Sequence, residues 1–316
     1  MPHLKSTSSR PAKIAYILLW FPEPSQTFIL DEVNTLVELG VDVRVYTLYG
    51  PRPPKRLAGM APPLAPVHHL GLASLGGLAK TLVKKIGPGG TAGRQFLGQV
   101  LIRRWRSLET AAEALWAALA GVHLAPALIQ EGISHIHAPW ANGPATAAWV
   151  ASHFSGLPFS FCAHAHDLYP PDGALAEKLA AAAFVRTISL RNQDYLARLA
   201  PTAAGKVVKI SYGAPLRGSL RPFRPPQPPY HLLALGRFVP KKGFPVLLEA
   251  CRLLAHQGLD FHLTLAGDGP QRRELQQQVK ELGLEKRVTF PGFVPHRQVP
   301  ELFHAADLFV MPCIID

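Results

Sequence analysis

Between Pro215 and Tyr230 the chain sets six prolines in sixteen residues. Neither a helix interior nor a central strand survives that density, because each proline removes a backbone N–H and fixes φ. The 316-residue chain is thereby cut in two, and its length suits two domains better than one core. On both sides of the cut, short apolar runs alternate with helix-length amphipathic stretches. Ile14–Phe21 reads as a strand, too short for a membrane span. Phe28, Ile29, Val33, Leu36 and Val37 then repeat at helical spacing, with Ser25 as the expected N-cap, Asp31 and Glu32 near the start and Gly40 as the stop. Val41–Tyr46 is the next strand. A strand–helix–strand unit of this kind builds a parallel sheet, so the expected class is α/β.

The alternation resumes with a strand at His135–Ala138. After it come a helix over Pro144–Phe154, a strand over Phe159–Ala163, a helix over Gly173–Ala183 and an extended run over Phe184–Ser189. A helix over Asn192–Leu199 and an extended run over Val207–Tyr212 complete the first half. Past the prolines, strands are expected at 231–236, 261–266, 287–290 and 308–311. The expected domains are a disordered N-terminus (1–12), a first domain (13–214) with a basic helical insertion at 51–110, a stiff linker (215–230) and a second domain (231–316).

The formal net charge is +12, and from Val43 through Leu108 the chain has eleven arginines and lysines and no acid. Mixed with them are Leu78, Leu82, Val83, Ile86, Phe96, Leu97, Val100, Leu101, Ile102 and Trp105. Cations among apolar residues at helical spacing suit an interfacial helix over 76–106 on anionic lipid. An ordinary basic surface over a buried apolar face is the competing reading. Nucleic acid is a poorer partner, since no stacking aromatics or reading motif accompany the charge. Cys162, Cys251 and Cys313 form no C-x-x-C pair, which argues against zinc or a disulfide framework and suits a reducing compartment. Met1–Lys13 lacks the apolar core of a signal peptide, so the expected location is cytoplasmic, at the inner face of the cell membrane.

One loop carries anion chemistry. Gly236-Arg237-Phe238-Val239-Pro240-Lys241-Lys242-Gly243 joins an apolar strand to a helix starting near Phe244. The guanidinium can grip two oxygens, the lysine adds a compact charge, and unpaired N–H groups at the helix start would complete a diphosphate site. A surface loop that merely carries two cations is the alternative.

Three further motifs follow in order: Leu265-Ala266-Gly267-Asp268-Gly269-Pro270, Phe290-Pro291-Gly292-Phe293-Val294-Pro295, and Ala305-Ala306-Asp307-Leu308-Phe309-Val310-Met311-Pro312. Together with Gly236–Gly243 they resemble the nucleotide-binding domain of retaining family 4 glycosyltransferases. That resemblance implies the GT-B architecture, two Rossmann-like domains facing a cleft. It implies a hexose transferred from a nucleotide-sugar donor, with retention and without metal, to a lipid-linked or growing polysaccharide acceptor. The chain contains no Asp-x-Asp metal motif, so protein cations would stabilise the leaving diphosphate. No cofactor is expected, the nucleotide-sugar being a substrate. The resemblance assigns Arg237 and Lys242 to the diphosphate, and Gly236, Gly267, Gly269, Gly292, Phe293 and Val294 to the nucleotide. Simple turn geometry is the competing account of Gly267 and Gly269.

In the first half, Phe161-Cys162-Ala163-His164-Ala165-His166-Asp167-Leu168-Tyr169 resembles the family's active-site loop. It places His164 at the reacting sugar as a hydrogen-bond donor or proton carrier. Asp167 would order the loop or bind acceptor, and His166 has less claim. A loop histidine that caps a strand end is the plainer reading. Phe21-Pro22-Glu23-Pro24-Ser25-Gln26-Thr27-Phe28-Ile29 resembles a loop of exopolysaccharide transferases of colanic-acid type, with Gln26 where a glutamate is usual. This puts Ser25, Gln26 and Thr27 on the acceptor side with an altered acceptor preference. Trp140 is either a sugar platform there or a core residue.

One departure bears on activity. The family carries two glutamates eight positions apart, downstream of Asp307-Leu308-Phe309-Val310, and no two glutamates of this chain have that spacing. The expectation is a C-terminally truncated transferase with an incomplete second domain. The alternative is a non-catalytic remnant acting as a membrane-associated domain.

Overall fold

The computed structural model describes residues 12–54, 57, 60–71, 76–77, 91–102, 107–169, 173–213, 225–295 and 298–314. The expected N-terminal tail (1–12) lies almost wholly outside them, as do the linker's 215–224 and Leu78, Leu82, Val83, Ile86 and Trp105 of the basic segment. The chain divides into two compact units, Met1–Gly213 and Ala214–Asp316.

The first unit is built on β1 (Lys13–Leu18), α1 (Thr27–Glu38), β2 (Asp42–Thr47) and β3 (Val67–His69). Next come α2 (Thr91–Leu101), α3 (Leu108–Gln130), β4 (His135–Ala138), α4 (Gly143–Ser155), β5 (Phe159–Ala163), α5 (Ala165–Leu168) and α6 (Leu175–Ala181). The unit ends with β6 (Phe184–Thr187), α7 (Leu190–Leu199) and β7 (Val207–Lys209). All seven strands run parallel in the order β3-β2-β1-β4-β5-β6-β7. One face carries a cluster that includes Ile17, Ile136, Phe159, Phe161, Val185 and the alanine-rich α3 and α4. The other packs Tyr16, Leu18, Val43 and Val45 against Ile29, Leu30 and Val33 of α1. Burial on both faces is what a parallel sheet requires.

Two local expectations change. Ser25 does not cap α1: it sits exposed in a 3₁₀ turn over Pro24–Gln26, and Gln26 flanks the helix without a side-chain cap. Proline at the first position of that turn starts it earlier than the cap rule places the helix. Of the apolar residues expected on an interfacial helix, Leu97 and Val100 are buried in the core, and Phe96 and Leu101 pack against it. Phe96 stacks on His153 at 3.7 Å between centroids, and Ile102 alone of that described group is 86% exposed.

The second unit contains β8 (Tyr230–Leu235), α8 (Phe244–His256), β9 (Phe261–Ala266), α9 (Arg272–Glu281), β10 (Val288–Gly292), α10 (Val299–Ala305) and β11 (Leu308–Phe309). Its four parallel strands run β10-β9-β8-β11 around a separate core of Leu232, Ala234, Phe238, Phe244, Leu248 and Leu263, among others. In both sheets the strand order reverses once, at β1/β4 and at β8/β11. The crevice beyond the strand C-termini at such a switch point is where open α/β sheets bind ligands.

Candidate functional site

In the first unit, residues from four separate loops meet beyond the β1/β4 switch point. β5 is buried at every position and delivers His164, 8% exposed, at its C-terminal end. The turn that follows is set by Asp167, whose Oδ1 accepts from His164 N–H and Oδ2 from Ala141 N–H, both at 2.6 Å. A carboxylate bonded in this way fixes two loops at once. Buried Lys178 of α6 holds the same segment, donating to the Ala141 carbonyl and to Thr146 Oγ1. The side chain of Asp167, placed by the resemblance in the active-site loop, is fully enclosed with each oxygen committed to a backbone N–H, the geometry of a group that orders the loop.

Around His164 stand Trp140 at 4.7 Å, Tyr212 at 5.9 Å in a parallel stack, and Phe28 at 6.0 Å. His164 Nε2 lies 2.8 Å from the Tyr212 hydroxyl. Trp140 donates from Nε1 to Gln26 Oε1 at 3.1 Å, so two of the expected acceptor-side residues do meet. Thr27 opens α1, Ser25 faces solvent, and His166 is exposed next to the site. Behind Tyr212, Arg186 places its guanidinium 4.5 Å above the phenol ring, pairs with Glu32 and donates to the Ile210 carbonyl. Glu32 also accepts from Tyr16 Oη at 2.9 Å. Burial holds the Tyr212 phenol well above its ordinary range, with Cys162 and Glu32 pushing the same way and Arg186 against. Sequence reasoning missed Tyr212, Arg186, Glu32 and Lys178. The only trace of Lys178 was a lysine on the apolar side of a helix.

In the second unit, the loops after β8, β9 and β10 are laced together. Phe238 N–H donates to Asp268 O, Gln271 N–H to Phe238 O, and Gly267 N–H to Gly292 O. A Cβ on Gly267, which has φ +137°, would collide with the Gly236 carbonyl, and one on Gly269 would lie 2.5 Å from the Phe238 carbonyl oxygen. Close loop packing thus accounts for both glycines. Fully buried Phe238 anchors the loop between Phe244 and Phe290 and thereby turns its neighbour Arg237 out to solvent. Lys242, half-buried, lays its stem along Gly236. Among the described residues of this unit the ion pairs are Arg252–Glu249, Arg272–Asp268 and Arg287–Asp260, which include neither Arg237 nor Lys242. Gly292 is buried with Phe293 63% exposed beside it, and Val294 is half-buried. Arg272, also missed, brings a guanidinium nitrogen 3.3 Å from where a Gly292 Cβ would stand.

The start of α8 offers less than expected. Gly243 N–H already bonds Pro240 O, Val246 and Leu247 N–H bond Gly243 O, and Pro245 has no N–H. The loop's cationic character thus lies in the side chains of Arg237, Lys241 and Lys242. Among the described residues no three His, Cys, Asp or Glu side chains gather as a metal site. An open groove lined by His231, Asp260, His262 and Arg287 lies at the opposite, N-terminal end of β8 and β9.

Residues 220–315 match the model of the glycosyl transferases group 1 family. Over 98 residues the chain is 37% identical to the putative colanic acid biosynthesis glycosyltransferase WcaL of Escherichia coli K12, covering 31% of this chain and 24% of that protein. It is 34% identical over 86 residues to the amylovoran biosynthesis glycosyltransferase AmsK of Erwinia amylovora, covering 27% and 21%. These matches span about a quarter of the length of the curated relatives. The fold is similar to that of the lipopolysaccharide outer core galactosyltransferase WaaB, with TM-score 0.64, 15% identity, and 95% of this chain and 74% of that one covered. It is also similar to Anabaena Alr3699/HepE in complex with UDP and glucose, with TM-score 0.57, 18% identity, and 94% and 73% covered. The chain therefore shares the α/β fold of the GT-B glycosyltransferases, and its residues 220–315 match the glycosyl transferases group 1 family.

Proposed function

We propose that the protein is a retaining, metal-independent glycosyltransferase that moves a hexose from a nucleotide-sugar to a lipid-linked or growing polysaccharide acceptor. The observation that carries this reading is the Arg237–Lys242 loop. It holds two cations outside every ion pair among the described residues of the second unit, at the sheet's switch point and within the stretch that matches the group 1 family. A leaving diphosphate gathers negative charge, and fixed cations there stabilise it without an ion of their own. Arg237 bridges the phosphates, Lys242 neutralises them, and Gly292–Val294 lines the base with Arg272 beside it. In the first unit His164 faces the transferred sugar, with Gln26 and Trp140 on the acceptor side. The names of WcaL and AmsK, both exopolysaccharide transferases, favour a polysaccharide acceptor. The basic segment docks the protein on anionic lipid at the cytoplasmic face.

Calorimetry with UDP tests the phosphate assignment on the chain as it stands. Charge-assisted hydrogen bonds contribute about 1.5–3 kcal/mol each, so Arg237→Ala or Lys242→Ala should each weaken binding by about 10- to 100-fold. A chelator should leave the affinity unchanged. Equal affinity in both variants would remove the diphosphate from this loop.

A further inference from the structure

Resting on the reading of His164 as the residue that faces the sugar, we propose that Tyr212 is its positioning residue. In this role its phenol donates to Nε2, so that the imidazole proton resides on Nδ1 and the ring is held in one orientation. His164 is nearly enclosed, and its two ring nitrogens have unequal surroundings. Nε2 has the Tyr212 hydroxyl at 2.8 Å. Nδ1 has no hydrogen-bond partner and lies 3.9 Å from Asp167 Oδ2.

A lone pair at Nδ1 would face a carboxylate oxygen across that gap, which is repulsive, whereas an N–H there is attracted. Both Asp167 oxygens already accept a backbone N–H, so they face Nδ1 as acceptors. The proton therefore belongs on Nδ1, and Nε2 must accept. Tyr212 is built to supply that hydrogen: burial keeps its phenol protonated, and Arg186 over its ring fixes its plane parallel to the imidazole. Arg186 is in turn held by Glu32 of α1. A run of contacts thus extends from α1 through Arg186 and Tyr212 to His164 and Asp167. Tyr212 reaches the site from beyond β7, 48 residues downstream of the histidine.

Tautomer state is directly readable. The chain labelled with ¹⁵N-histidine, at about pH 8, where an ordinary imidazole is neutral, should show His164 with a protonated Nδ1 and an unprotonated Nε2 in long-range ¹H–¹⁵N correlation spectra. The signals are assigned by their loss in His164→Gln. Tyr212→Phe removes the hydroxyl, so the unprotonated Nε2 should lose its hydrogen bond and its ¹⁵N resonance should shift to that of a free ring acceptor while the other histidines keep their shifts. A wild-type His164 protonated on Nε2, or an Nε2 resonance unaltered by Tyr212→Phe, would overturn the assignment. No substrate enters the measurement, so its failure is separate from failure of the transferase reading, which the UDP experiment decides.

Discussion

His137 lies fully inside the first sheet among groups that leave no room for a second proton. Cys162 Sγ is 3.6 Å from its Nε2, its Nδ1 is 2.8 Å from Ser160 Oγ, and His135 Nε2 is 2.7 Å from the same hydroxyl. Ser160 has one hydrogen for two rings. Every group is satisfied if the thiol donates to His137 Nε2, His137 Nδ1–H to Ser160, and Ser160 to His135. Burial first, then His135 and Arg186, lowers His137 to about 3, and burial raises the Cys162 thiol to about 12. In the unfolded chain the imidazole titrates at its ordinary value of 6.5. Between those two values the unfolded state binds a proton that the folded state refuses. Stability from this group is therefore complete above about pH 6.5 and is lost as pH falls, at about 1.4 kcal/mol per pH unit. His135, also lowered by burial, adds to the same trend. Urea midpoints taken at about pH 7.5 and about pH 5.5 should fall on acidification, and His137→Gln, which cannot titrate, should flatten the fall. An equal slope in the variant would mean that His137 titrates alike in both states.

Among the elements, α3 shows how small residues set a fold. Ala117, Ala118, Ala120 and Gly121 meet Ala145, Ala147, Ala148 and Ala151 of α4, all within one core cluster except Gly121, which has its own close contact. A Cβ at Gly121 would lie 2.6 Å from the Ala147 carbonyl oxygen and 2.8 Å from Val150 Cβ. Backbone cannot yield as a flexible side chain does, so the helices would have to part. Gly121→Val should cost about 3 kcal/mol or more in urea unfolding, as overpacking of a tight contact does. A loss under about 1 kcal/mol would show that the crossing relaxes freely. The strands flanking the switch points were legible from apolar runs, and β4 and β5 match to the residue. β3 escaped notice because three residues, two of them exposed histidines, carry no period and are ordered by pairing with β2. His164 and Asp167 were legible because one short motif holds both. Tyr212, Lys178 and Arg272 were not: each acquires meaning only from a loop distant in sequence, and nothing local to them is unusual. The same limit applies to α2, since an apolar stripe beside cations reads alike whether it meets lipid or, as for Leu97 and Val100, a core.

At the scale of the whole molecule, the charge distribution and the burial of α3 together decide how the chain could meet a membrane. α3 is long and apolar enough to cross a bilayer, yet half of its apolar stretch is buried inside the first unit against α4. A helix engaged in a core cannot also face lipid on all sides, so α3 is a core element, and the proposed membrane contact is a surface one. The surface candidate is the acid-free stretch from Val43 to Leu108, with eleven of the chain's 33 lysines and arginines. Ile102 at 86% and Leu108 at 91% exposure stand near its end, where Arg103, Arg104 and Arg106 follow in sequence. A basic residue near an anionic surface contributes about 1 kcal/mol, so Arg103→Ala with Arg104→Ala should lower partitioning onto phosphatidylserine vesicles about 30-fold. Binding to the same vesicles should weaken as salt rises, because the Debye length shrinks to about 3 Å at 1 M. Neutral phosphatidylcholine vesicles should leave the protein in the supernatant. Equal sedimentation with neutral and anionic vesicles, or a double variant that binds as tightly as the parent, would leave the positive charge without a lipid role and return it to an ordinary basic surface.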